Sequence, residues 1–344
     1  MEKSEKRTEC GALAPVRGLL RGAGQVMFQP SGWTGLLFLA GIFWSAWSSG
    51  RMAVAWGAVA GLAAATLTGR CLCLNREERK GEKEGMEGLW GFNGILVGCA
   101  LMTFLKSTPL TWAVLFFGAA ASVWVRTGLN RVMAPWRINS LTMPFVLTTW
   151  LLLSAARALN GVPAAELPQP ELPAALLSSS PSVDTDFLPL AVCWLNGLSQ
   201  VFLCNSWVAG LLFLIGLALC NGWSALWSAV ASALSLALAL LFGGEGSSVA
   251  AGLYGFSPVL TGIALGSIFY RPSWRSALWT VAGIVFTFFT QAALNVWLAP
   301  VGLPALTAPF CIATWLFLLP MLPLDKDPET DHSAWSAAHK PHLG

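Results

Sequence analysis

The chain has 344 residues, of which 55% are hydrophobic and 11% charged, with a formal net charge of +3 and a mean hydropathy of +0.63. About a quarter of a soluble domain is charged, so a water-soluble fold is excluded, and no nucleic-acid partner is expected. The 17 carboxylates fall in tails and loops, and the three histidines (His332, His339, His342) lie in the polar C-terminal stretch, which leaves an all-α polytopic membrane protein as the class.

In chain order, MEKSEKRTEC at the start is too polar for a secretory signal. Residues 11–30 form a short, glycine-interrupted segment closing on GQVMFQP. Membrane spans need roughly 17–25 apolar residues. Runs of that kind are predicted at 32–49, 52–74, 88–105, 109–126 and 138–158. A Pro-, Ser- and acid-rich linker follows at 160–186. A second short segment at 188–204 then opens a second series at 206–221, 223–242, 252–270, 274–298 and 303–323. The domain expectation is therefore a first repeat over 1–159, a linker over 160–186, a second repeat over 187–323 and a polar tail over 324–344.

The two series are copies of each other. GLWGFNGILVGCAL (88–101) and GLYGFSPVLTGIAL (252–265) share eight of fourteen positions. GQVMFQPSGWTGLLFLAGI (24–42) aligns without gaps on SQVFLCNSWVAGLLFLIGL (199–217) with nine identities, and LTMPFVLTTWLL (141–152) on LTAPFCIATWLF (306–317) with seven. Apolar bias yields chance matches of Leu and Ala. It does not yield Gln, Phe, Thr, Pro and Trp in the same order, so the chain is a duplication.

Charge sets the expected sense of the copies. With five crossings per half and a cytoplasmic N-terminus, seventeen Lys/Arg fall inside and only Arg51, Lys106 and Arg157 outside. Four or six crossings per half scramble this bias. The expectation is thus two inverted-topology repeats of five transmembrane helices, each with a short pore or re-entrant helix, both termini cytoplasmic, and a site near the midplane.

The polar residues common to both copies are the candidates. Gln25 and Gln200 each precede an apolar run, and Thr142 and Thr307 each stand two residues before a proline (Pro144, Pro309) that removes a backbone donor. A single Thr-x-Pro is more often a threonine bonded to its own helix. The duplication, beside duplicated Gln and Phe, favours a polar path. Phe92 and Phe256 follow glycines that expose backbone, with Leu96 and Leu260 one turn on and on the same face. Glu87 and Glu245 read as helix N-terminal charges. Of the eight cysteines, Cys71 and Cys73 form the only close pair and lack the second pair a zinc site needs; no metal and no cofactor is expected.

These motifs closely resemble the bacterial urea transporter family over about residues 20–322: the duplicated GLxGF-x-x-x-L-x-G-x-A-L, the two Q-V segments and the two L-T-x-P-F-x-x-x-T-W segments. The resemblance implies a channel-like homotrimer in the inner (plasma) membrane lipid bilayer, each protomer passing urea without ion coupling between its two halves. It implies aromatic slot walls at Phe92 and Phe256 with Leu96 and Leu260 beside them, and mid-pore hydroxyls at Thr142 and Thr307. It further implies mouth amides at Gln25 and Gln200 with Val26 and Val201 adjacent, and a further slot aromatic at Phe28. Leu203 stands where the partner of Phe28 is expected, with the aromatic Phe202 next to it.

The chemistry suits such a path. Urea is neutral and planar, with four N–H donors and one carbonyl, and stripping its water without replacement costs several kcal/mol per polar group. Flat Phe and Leu walls with Gln, Thr and backbone oxygens along one edge supply the replacement without a formal charge. Other small neutral amides remain a rival permeant class. A membrane-embedded enzyme is disfavoured, since no Ser/His/Asp set, metal cluster or carboxylate pair lies at span depth.

Overall fold

The protein was analysed as a computed structural model that describes residues 14–73, 85, 87–172, 186–322 and 324. The extreme N-terminal tail, most of the charged loop after Cys73, the middle of the linker and nearly all of the polar C-terminal stretch lie outside the described residues. Among those described there is no strand, only an isolated antiparallel bridge between Leu105 and Ala164.

The first half contains α1 (Ala14–Gln25), α2 (Gly32–Ser48), α3 (Met52–Cys73), α4 (Phe92–Phe104), α5 (Pro109–Met133) and α6 (Met143–Ala156). The second contains α7 (Phe187–Ser199), α8 (Trp207–Cys220), α9 (Gly222–Leu241), the short α10 (Gly246–Ala250), α11 (Phe256–Ile263), α12 (Trp274–Leu298) and α13 (Ala308–Leu318). Local start signals are duplicated with the sequence. The Ser31 and Ser206 hydroxyls accept from the N–H groups of Thr34 and Ala209 at the starts of α2 and α8. Thr108 and Ser273 cap α5 and α12 in the same way, satisfying donors that a helix start leaves orphaned.

Among the described residues, four stretches are long and apolar enough to cross a membrane: Met52–Leu72, Pro109–Trp136, Gly222–Leu241 and Trp274–Val301. A fifth exists if Phe187–Phe202 and Trp207–Cys220, bent by 74°, count as one broken span. The spans expected at 88–105, 138–158, 252–270 and 303–323 hold shorter apolar helices, Phe92–Phe104, Met143–Ala156, Phe256–Ile268 and Ala308–Leu318. A 13-residue helix such as α4 rises about 20 Å against a hydrocarbon core of about 30 Å. The reason is backbone, not hydropathy. Residues ahead of each helix are spent in turns with left-handed backbone: Gly88 (φ 79°) and Gly252 (φ 74°) before α4 and α11, Leu141 and Leu306 (φ 50° each) before α6 and α13. A leucine there costs on the order of 1–2 kcal/mol and persists because the surroundings hold it.

The shift in register between the copies has a structural source. Residues 88 and 252 differ by 164, whereas 109 and 274, which open the 25-residue helices α5 and α12, differ by 165. Between these points α11 continues into a π-helical turn, Ala264–Ile268, and a π-bulge is a one-residue insertion in an α-helix. The bulge brings Phe104 and Phe269 into matching positions.

Contacts between the halves are reciprocal. Trp150 donates its indole N–H to the Pro304 carbonyl (2.8 Å) and its counterpart Trp315 donates to Asn139, the counterpart of Pro304 (3.0 Å). The Phe38 and Phe213 rings, counterparts of each other, meet at 5.1 Å between α2 and α8. Within the first half, α3 and α4 approach so closely that a Cβ on Gly98 would strike the Gly57 carbonyl oxygen, a small-residue packing usual for membrane helices.

Candidate functional site

The N-termini of α6 and α13 meet where the halves join. Thr142 and Thr307 occupy the N-cap positions, and neither uses its hydroxyl to cap its own helix. Instead Thr142 Oγ1 and Thr307 Oγ1 lie 2.6 Å apart, with Cys311 Sγ 3.3 Å from Thr142 Oγ1. Both threonines are almost fully buried. Each helix start carries roughly +0.5 charge from its unpaired N–H groups, so the junction is polar yet hostile to a cation. Asn93, one residue into α4, accepts from the Phe145 N–H (3.1 Å) and locks α4 onto α6.

A cavity of about 1020 Å³ runs inward to this junction from the end of the molecule that carries Arg51 and the linker, and its walls include Gln200, Val201, Leu203, Phe256 and Thr307. The linker borders its mouth. Arg51 pairs with Glu166 at 2.5 Å and donates to the Thr103 carbonyl at 2.6 Å, while Ala165 N–H donates to Phe104 O at 2.9 Å. Glu245 lies at the same mouth, as the N-cap of α10. Burial pushes its carboxyl up, but the Ser247 and Ser248 hydroxyls and the Ser248 backbone N–H outweigh that and hold it below the ordinary carboxylate value.

The two matched glutamines are placed by one device used twice. Gln25 Nε2 donates to the Glu87 carbonyl at 3.0 Å and Gln200 Nε2 to the Ala251 carbonyl at 2.9 Å. Glu87 and Ala251 each precede the left-handed glycine of their copy. Spending the N–H2 on that carbonyl turns each Oε1 the other way, leaving an acceptor. Val26 and Val201 are buried beside them.

The turns after the two glutamines send Phe202 and Leu203 to different surroundings. Phe28 (φ 62°) and Leu203 (φ 56°) are both left-handed, and each donates its N–H to the glutamine three residues earlier. Met27 and Phe202 precede them and are both fully buried. Phe202 packs on Phe38 (5.6 Å) and Phe213 (5.1 Å), in the core and away from the cavity wall. Leu203, in contrast, lines the cavity.

The remaining candidates separate into two groups. Phe256 and Thr307 line the cavity with Gln200, Val201 and Leu203, whereas Gln25, Val26, Phe28, Phe92, Leu96 and Thr142 are not among its walls. Leu96 and Leu260 are fully buried, each one turn behind its phenylalanine. Around Phe28 stand Phe269 and Phe310, at 6.0 and 6.1 Å and nearly perpendicular. Their counterparts Phe104 and Phe145 line the cavity near Leu203. Sequence reasoning missed all four rings, Phe104 and Phe145 as cavity walls and Phe269 and Phe310 as neighbours of Phe28. Matching phenylalanines in the two L-T-x-P-F segments were the available signal for Phe145 and Phe310; the π-bulge hid the other pair. Arg126 lies over Trp90 (5.0 Å) and Phe92 (5.9 Å) on the Phe92 side, where the counterpart in the second copy is the neutral Gln291, a cavity wall.

A duplicated helical membrane protein with an aromatic-walled cavity leading to buried hydroxyls between its halves fits the class of small-solute transporters and not of enzymes. The urea transporter family profile matches residues 16–321, and the chain belongs to that family. Among its relatives are the sheep (Ovis aries) and goat (Capra hircus) proteins named urea transporter 1. Each is 29% identical over 317 residues, covering 90% of this chain and 77% of the relative. The rat (Rattus norvegicus) protein of that name is 28% identical over 307 residues, covering 88% and 76%.

Proposed function

We propose that the chain conducts urea passively, down its gradient, along a path between its two halves through the Thr142–Thr307 junction. The observation that carries this reading is that junction, a pair of hydroxyls released from their own helices and lying at the inner end of an aromatic-walled cavity. Hydroxyl and amide oxygens offer acceptors to the four N–H groups of urea while Phe and Leu faces match its plane. The two helix N-termini disfavour an ammonium ion at the same point. With its charged groups at the mouth and none at the Thr142–Thr307 junction, the path binds weakly at its centre, as rapid passage needs, and the names of the mammalian relatives support urea as the permeant.

The site expectation is carried forward as Gln25, Val26, Phe28, Phe92, Leu96 and Thr142 from the first copy and Gln200, Val201, Phe202, Leu203, Phe256, Leu260 and Thr307 from the second. The halves are read as inverted repeats. Reciprocal contacts of the Trp150/Trp315 kind are what a two-fold relation produces, and the Lys/Arg distribution favours an axis in the membrane plane with both termini cytoplasmic. A homotrimer in a bacterial inner membrane completes the reading, supported by the motif resemblance.

Stopped-flow light scattering on proteoliposomes of the purified full chain tests it. Urea flux above that of empty liposomes, indifferent to membrane potential and pH gradient, is expected. No excess flux from folded protein overturns the urea reading, and a gradient requirement overturns passivity. The mass of the purified protein in detergent tests the trimer.

A further inference from the structure

Away from the junction, the two copies treat one aromatic ring and its neighbour differently. In the first copy, Trp90 shares a buried cluster with Val123 of α5. Arg126, one turn further along that helix, lays its guanidinium over the Trp90 ring at 5.0 Å. Residues 90 and 126 correspond to Tyr254 and Gln291. Tyr254 packs in the same way on Phe288 of α12, with ring centroids 5.7 Å apart, and Gln291 follows one turn on. The second copy keeps the ring and drops the cation. Gln291 is 2% exposed and donates its Nε2 to Asn295 Oδ1 at 3.1 Å, while its Oε1 accepts from no donor. A buried acceptor without a donor is costly and calls for a reason. Tyr254, Phe288, Gln291 and Asn295 all line the cavity, and so does Glu245. A Cβ on Gly244 would stand 3.2 Å from the Tyr254 ring, which brings Glu245, the next residue, beside that ring. The cavity walls carry three glutamates (Glu166, Glu171, Glu245) and one arginine, Arg51, already bound to Glu166.

We propose that Tyr254, Phe288, Gln291 and Glu245 form a seat for a free guanidinium cation, in the place that the protein's own Arg126 guanidinium holds in the first copy. A guanidinium is planar and donates through every N–H. The ring faces attract its charge, Gln291 Oε1 accepts one of its N–H groups, and Glu245, whose carboxylate accepts from the Ser247 and Ser248 hydroxyls, supplies the opposite charge. A sodium ion gains the charge alone and keeps its water. The seat stands beside the path and uses neither the Gln200 amide nor the threonine hydroxyls. Its cation is not drawn further inward, because the two helix N-termini at the junction disfavour positive charge. The seat does not depend on which solute the path conducts.

Isothermal titration of the purified full chain in detergent with guanidinium chloride, against sodium chloride at equal ionic strength, tests the seat. Saturable binding of one guanidinium per chain is expected, roughly tenfold or more tighter than that of sodium, the scale of a cation over desolvated rings. An excess of urea leaves that binding unchanged. Gln291→Arg gives the second copy the guanidinium that the first copy has and abolishes the binding. Glu245→Gln weakens it roughly tenfold, the scale of one partly screened charge at close range. Four results overturn the proposal: no saturable binding, binding no tighter than that of sodium, displacement of guanidinium by urea, or a folded Gln291→Arg protein that binds as the natural one does. The first three use the natural sequence, so a variant that fails to fold leaves the proposal decidable. Absence of urea flux is a separate result that tells against the urea reading alone.

Discussion

Thr142 and Thr307, counterparts in the two copies and 165 residues apart, place their hydroxyl oxygens 2.6 Å from each other at the facing starts of α6 and α13. The contact joins a residue to its own duplicate, so the centre of the proposed path is also the centre of the duplication. Each hydroxyl serves as donor or acceptor, and the pair can open to bond a solute without breaking either helix.

Removing one of these hydroxyls strands the other in a buried place, at a cost of about 1–3 kcal/mol. Thr142→Val is expected to cost more stability than Thr307→Val, because in the second case Thr142 keeps Cys311 Sγ at 3.3 Å. The double Val variant is expected to regain most of the lost stability while urea flux stays well below that of the natural protein. Thermal unfolding in detergent and stopped-flow flux, measured on the same preparations, check both halves of the prediction.

The left-handed turns at Leu141 and Leu306 are held by the indole bonds from Trp315 to Asn139 and from Trp150 to Pro304. Trp150→Phe deletes one bond and keeps an aromatic ring in the space. It is expected to lower stability by about 1–2 kcal/mol, the net bond together with some lost packing. Flux is expected to fall with it, because the turn that presents Thr307 loosens. If unfolding and flux both match those of the natural protein, the turn is held by something else.

Gly98→Ala has no space available, since its Cβ meets the Gly57 carbonyl across α3 and α4, and a backbone group cannot swing aside. Forcing the helices apart is expected to cost several kcal/mol, as overpacking does at its upper end. A sharp drop in folded yield by size-exclusion chromatography is the readout. Gly128→Ala, where a Cβ meets nothing within 4 Å, serves as the control and is expected to fold normally.

Glu245 gives a pH dependence with a definite sign. Its carboxyl is held below the ordinary value in the fold, so the charged form is bound more tightly when folded. The stabilisation is then present above the unfolded-state pKa and lost as pH falls through the lowered folded-state value. The gap in unfolding temperature between the natural protein and Glu245→Gln is expected near neutral pH and to close in acid. A gap that widens in acid contradicts the assignment.

Much of this protein is legible from residue identity alone. The membrane class, the duplication and the matched Gln, Thr and Phe positions follow from composition and from polar and aromatic identities that apolar bias cannot counterfeit. Helix length does not follow. In membrane segments nearly every position is apolar, so hydropathy cannot mark where α4, α6, α11 and α13 begin; the left-handed turns that shorten them are backbone facts without a distinct hydrophobic pattern. Leu141 and Leu306 make the point, since leucine is not a residue that announces positive φ.

The assignment of Phe202 to the core and Leu203 to the cavity likewise came only with the tertiary structure. The sequence presents them as neighbours of equal standing, and a single turn sends them to opposite sides. The same holds for Phe104 and Phe269, whose equivalence is hidden by the π-turn at 264–268, and for the Thr142–Thr307 contact, which exists only once both halves are packed together. Identity by itself determined which residues the two copies share. Which of them touch, and which face the path, was decided by backbone geometry and by packing between segments more than a hundred residues apart.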